Sequence, residues 1–132
     1  MHNITISKEY EELAEAVIDE HPDLHWIRSA GISIGYLESD QEKKGSVGLI
    51  LGQCSLVKEL YQPYCPHDFL ITIFLPNVAG LNENQKKILL YHELLHVDMS
   101  EINGEPKYHV APHDVEDFET IINRYGLHWA GD

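Results

Sequence analysis

From Ser7 to Glu20 the apolar residues Tyr10, Leu13, Ala14, Val17 and Ile18 fall on one helical face, so the spacing predicts an amphipathic helix. Ser7 offers a side-chain oxygen to cap its first turn, and His21-Pro22 marks its stop. The period then changes. Ile32 to Leu37 alternates large apolar with small residues, the pattern of a half-buried strand. The charged run from Ser39 to Gly45 predicts a solvated turn, and Val47 to Leu51 a second strand paired with the first across it. Between Gln53 and His67, Pro63 and Pro66 interrupt any long element, which predicts a short helix or turn followed by a loop.

The strongest strand pattern is Phe69 to Leu75, rich in β-branched and aromatic residues and closed by Pro76. A helix follows: Asn82 can cap it, and Gln85, three positions on, can reach back to complete a capping box. Its body, Ile88 to Met99, is apolar on nearly every side, as expected of a helix buried among other elements. A loop with Gly104 and Pro106 comes next. The last helix is predicted from about His113 to Tyr125, with Val115, Phe118, Ile121, Ile122 and Tyr125 on one face and Gly126 as its stop. This order of elements predicts an α+β fold with a small, mostly antiparallel sheet, an amino-terminal helix, a central helix and a carboxy-terminal helix.

At 132 residues, without repeats, low-complexity tracts or linkers, the chain is expected to form one domain over residues 1–132. Its net charge of −13 repels phosphate backbones and anionic headgroups, so neither nucleic acid nor a membrane is an expected partner. No segment approaches the roughly 18 to 20 apolar residues that cross a bilayer, and the start Met1-His2-Asn3-Ile4 lacks the pattern of a secretory leader. Cys54 and Cys65 form no CxxC pair and suit a reducing cytoplasm, which is the expected location.

The residues that carry chemistry lie in the central helix, where positions 91–97 read Tyr-His-Glu-Leu-Leu-His-Val. On a helix, the step from His92 to His96 puts both imidazoles on one face, one turn apart, where they can share one ion. Glu93 is rotated away from that face and is better placed to hold a water than to become a ligand. This layout suits hydrolysis with Zn2+: the ion brings the pKa of a water toward neutrality, and Glu93 takes its proton for attack on a polarised carbonyl.

A catalytic zinc needs a third protein ligand, and His109, His113, Asp114, Glu116, Asp117, Glu119 and His128 all offer suitable atoms downstream. His113 is favoured over His109 and Glu116 because it opens the final helix, where a ligand can be held rigidly. Asp117, one turn later, can orient a ligand imidazole through its free N–H. Tyr108, His109, Tyr125 and His128 are candidate donors to a developing oxyanion, none of them singled out. The strand Phe69 to Leu75 is either a sheet edge that pairs with an extended peptide or an interior strand. Cys65-Pro66-His67 is too isolated a signal to define a further metal site.

With Ile88-Leu89-Leu90-Tyr91-His92-Glu93-Leu94-Leu95-His96-Val97 followed by His113-Asp114-Val115-Glu116-Asp117-Phe118, the chain resembles the phage metallopeptidases, a zincin-like family of small single-domain proteins. The segments beginning Asp68-Phe69 and Tyr125-Gly126-Leu127-His128-Trp129 share that likeness, and SprT-like zincins are similar at greater distance. The resemblance implies a minimal zincin-like domain, zinc at His92, His96 and His113, and hydrolysis of a peptide or protein substrate assisted by Glu93. It also implies a phage or prophage origin, with a bacterial host cytoplasm as the location. The competing class is a non-catalytic, metal-stabilised acidic module that binds a host protein or mimics nucleic acid. A fourth protein ligand closing the metal site would favour that module.

Overall fold

The computed structural model describes residues 2–46 and 48–111. In order, β1 (Ile4–Ile6) leads into α1 (Lys8–Glu20), a 3-10 turn and α2 (His25–Ser29), then β2 (Ile34–Ser39), β3 (Lys44–Gly45), β4 (Gly48–Leu49) and β5 (Gly52–Leu56). After a second 3-10 turn come β6 (Phe69–Phe74), α3 (Leu75–Val78), α4 (Glu83–Leu94), β7 (Val97–Ile102) and β8 (Glu105–Val110). The architecture is α+β. Its main sheet has the order β1-β2-β6-β5, antiparallel at both outer pairings and parallel between β2 and β6.

The helices begin where their caps dictate. Ser7 Oγ accepts from the Tyr10 N–H at 3.2 Å and is itself buried under the helix start. Asn82 and Gln85 exchange both capping-box bonds, at 2.9 and 2.8 Å, at the start of α4. Both helices lie on one face of the sheet: Tyr10, Ala14, Val17 and Ile18 from α1 and Leu89, Leu90 and Leu94 from α4 join Tyr36, Phe69, Ile71 and Ile73 in one core. Tyr91 fixes the height of α4, since its ring stacks on His21 and its hydroxyl donates to Asp23 at 2.6 Å.

Several elements differ from their sequence patterns. β2 pairs with β1 and β6 rather than with the predicted second strand, in whose described part Gly48–Leu49 is a strand paired to Lys44–Gly45. Asn77 explains this, because its Nδ2 donates to the Lys43 and Ile50 carbonyls at 2.9 and 2.7 Å and ties that excursion to α3. The segment after Leu51 is not a loop throughout: Gly52–Leu56 is a strand set by its ladder with β6, although its own residues have weak strand preference. As a result β6 is an interior strand, and β5 is the sheet edge beside α4.

The central helix also ends earlier than its apolar run. It stops at Leu94, and positions 97–110 form a β7–β8 hairpin instead of continuing as helix and loop. Asn103 and Gly104, with φ of 55° and 80°, make the two-residue turn that a hairpin of this twist requires. Asn-Gly between Ile102 and Glu105 was the available signal for it. The predicted helix from His113 to Tyr125 lies outside the described residues. Neither Cys54 nor Cys65 is in a disulfide, and among the described residues no helix is long and apolar enough to cross a membrane.

Candidate metal centre

Three ionisable side chains meet where α4 runs into β7. His92 and Glu93 occupy the last turn of the helix, and His96 follows its C-cap residue Leu95. Leu95 keeps helical dihedrals, φ −68° and ψ −17°, and the His96 N–H donates to the Glu93 carbonyl at 3.1 Å. The one-turn relation between the two histidines therefore persists although His96 is no longer in the helix. Their Nε2 atoms lie 3.4 Å apart, and the rings are nearly perpendicular at 88°. Ligand atoms of His92, Glu93 and His96 all fall within 4.8 Å of one another.

The hairpin sets the His96 ring. Because Val97 pairs with Val110, His96 stands opposite Ala111, whose N–H donates to the His96 carbonyl at 2.7 Å. The Ala111 carbonyl lies 2.6 Å from His96 Nδ1. A carbonyl only accepts, so Nδ1 carries the proton and Nε2 presents its lone pair toward His92. The partner that orients this imidazole is thus a backbone group fifteen positions away, which no side-chain motif announces.

Burial defines the electrostatics. His92, Glu93 and His96 are 8, 1 and 2% exposed, an uncommon place for three ionisable groups and a costly one for any charge without compensation. Burial pushes the Glu93 carboxyl up from its ordinary 4.5 to about 8. It also raises the Cys54 thiol to about 12, with the Glu93 charge adding to the effect. In metal-free protein, folding thus retains a proton on Glu93 that the unfolded chain releases above about 4.5. The stability this group contributes is full below pH 4.5 and lost as pH rises toward 8. Chelator-treated protein should accordingly lose more stability between those pH values than Glu93→Gln does, as read by denaturant midpoints; parallel profiles for the two would contradict the shift.

The donor set fits a divalent cation. Two imidazole nitrogens bound to one tetrahedral zinc at about 2.0 to 2.1 Å stand about 3.3 Å apart, close to the spacing seen. A cleft of about 280 Å3 opens beside the cluster, lined by Ile50, Gly52, Gln53 and Cys54 of the edge strand and its approach, together with His96 and Val110.

The other residues singled out by sequence divide into two groups. His109 stands apart: it lies on β8, 3.2 Å from Asp98 across the ladder. Side chains alternate along the strand, and since Tyr108 and Val110 pack on the core, His109 faces away from it. His67 is likewise remote from the cluster, its Nδ1 2.8 Å from Ser33 Oγ on the other side of β2. His113, Asp114, Glu116, Asp117, Glu119, Tyr125 and His128 lie outside the described residues. Gly52, which touches Glu93, was not singled out at all, although an isolated glycine opening a strand is a signal of close approach.

A helix end and the residues just beyond it, bringing two imidazoles and a carboxylate into a buried cluster beside a sheet edge, define an α+β protein with a candidate metal centre. Over residues 2–131 the sequence matches the family described as "Putative phage metallopeptidase", and the chain belongs to that family. The family name implies a metal and peptide or protein substrates. No curated protein and no solved structure matches the chain.

Proposed function

We propose that this chain is a zinc-dependent peptidase, a single minimal zincin-like domain over residues 1–132 in which His92, His96 and His113 hold the metal and Glu93 is the general base. The observation that carries the proposal is the approach of two Nε2 atoms to 3.4 Å with the Glu93 carboxylate in the same cluster. Bound zinc supplies a Lewis acid that polarises the scissile carbonyl and makes an attacking water acidic. Glu93 takes the proton of that water on its carboxylate and delivers it to the nitrogen of the departing amine. Burial raises its carboxyl in metal-free protein, and a bound cation would act in the opposite sense, favouring the ionised carboxylate that a general base needs.

The remaining groups hold this arrangement. His92 is fixed by the rigid end of α4, and His96 by the Ala111 carbonyl through Nδ1–H, which keeps the two Nε2 atoms within reach of one ion. Asp117 is assigned the same orienting task toward a ligand imidazole. The substrate is read as an extended peptide lying in the cleft along β5, whose strand edge offers backbone groups to present the scissile carbonyl beside His96.

Metal analysis joined to a peptide-cleavage assay tests the reading. Purified protein is expected to contain one zinc per chain and to cleave a mixed peptide library. Chelation should abolish cleavage and added Zn2+ restore it. Cleavage indifferent to chelation would refute the metal mechanism, and a zinc-loaded protein that cleaves no peptide would favour the non-catalytic module.

A further inference from the structure

Strand β5 opens on a glycine that its backbone does not require. Among the described residues the glycines with positive φ are Gly31, Gly48 and Gly104, so Gly52 has a conformation open to any residue. Glycine weakens a strand, and where no turn demands it, it marks a place where another group comes close. That group is Glu93. A Cβ built on Gly52 would stand 3.3 Å from Glu93 Cγ, 3.3 Å from Ile73 Cδ1 and 3.4 Å from the Thr72 carbonyl oxygen.

None of these neighbours has room to withdraw freely. The β5 backbone is held in register by its ladder to β6, where Gly52 pairs with Ile73. Ile73 is fully buried and Glu93 is 1% exposed. The Glu93 side chain therefore fills the space between α4 and bare strand backbone, and its carboxylate is set beside the two imidazoles from there. Cys54, two residues along and hence on the same face of β5, is near enough for the Glu93 charge to act on its thiol.

We propose that Gly52 is a positioning residue for Glu93: the absence of a side chain at Gly52 creates the seat that holds the carboxylate at the cluster. This rests on Glu93 acting as the base. A methyl group at Gly52 would press on Glu93 Cγ and require a shift of a few tenths of an ångström, and neither imidazole is among the three atoms it meets first. Since misplacing a reacting group by about 1 Å costs about 10²-fold in rate, Gly52→Ala is expected to lower kcat about three- to tenfold. The dissociation constant for Zn2+ should stay within about twofold, because it does not depend on the carboxylate position in the way proton transfer does.

The experiment compares Gly52→Ala, Gly52→Ala with Ile73→Val, and Gly52→Ala with Glu93→Gln. Ile73→Val removes the Cδ1 contact, so Glu93 Cγ is the side-chain contact left to the new methyl, beside the Thr72 carbonyl oxygen. The proposal expects kcat to stay low in that pair, and expects Gly52→Ala to add nothing once Glu93 is glutamine. Parental kcat in Gly52→Ala, recovery on adding Ile73→Val, or a full additional loss in the Glu93→Gln background each overturns it. A crystal structure of zinc-free Gly52→Ala separates this from failure of the base assignment. Glu93 displaced with the Nε2 atoms still near 3.4 Å supports the seat even if the parent shows no turnover, whereas an unmoved Glu93 rejects it.

Discussion

Glu93→Gln is expected to lower peptide hydrolysis by about 10²- to 10⁴-fold, the usual contribution of a positioned acid–base group, while zinc binding persists. Glutamine has nearly the shape of glutamate and keeps an acceptor oxygen, so it fits the seat against Gly52 without the ability to take up a proton. Because Glu93 is 1% exposed and its carboxyl tends toward the neutral form, the amide should not destabilise metal-free protein at neutral pH. The variant therefore separates chemistry from folding. Steady-state kinetics beside a zinc titration measures both, and turnover within tenfold of the parent would remove Glu93 from its proposed role.

Loss of metal is the second large effect. His92→Ala and His96→Ala each delete one imidazole from the cluster. Structural zinc sites with four protein ligands bind with about 10 to 16 kcal/mol, or about 2.5 to 4 kcal/mol per ligand, so each deletion is expected to weaken affinity on the order of 10²- to 10³-fold. Activity should vanish at zinc concentrations that saturate the parent. His96→Ala carries a further consequence, since the Ala111 carbonyl loses its imidazole donor where the hairpin returns to the helix. Competition with a chromophoric chelator gives the affinities directly. Undiminished zinc binding in the double substitution would place the metal elsewhere.

Local signals were legible where short stretches of chain decide the structure by themselves. Ser7 and the Asn82–Gln85 pair start α1 and α4 because a cap is a contact between residues three apart. Phe69 to Phe74 is a strand because its β-branched and aromatic side chains suit a buried sheet. His92, Glu93 and His96 were bound to be neighbours for the same reason, being within one turn of each other. The run from Leu94 to Met99 misled, since Leu95, Val97 and Met99 are compatible with a helix face and with a strand at once. Asn103-Gly104 resolves that ambiguity when given its weight.

The amino-acid order alone therefore settled the starts of both long helices, the β6 strand and the close grouping of two imidazoles with a carboxylate, because each rests on contacts within a few residues. Tertiary structure decided the rest: which strand lies at the sheet edge, where α4 gives way to the hairpin, and which groups surround the cluster. Ala111 reaches His96 through a hairpin register, and Gly52 reaches Glu93 through a ladder with β6. Neither partner has a side chain that advertises the contact. Pairing between distant strands depends on what each buries against, and that is a property of the folded whole.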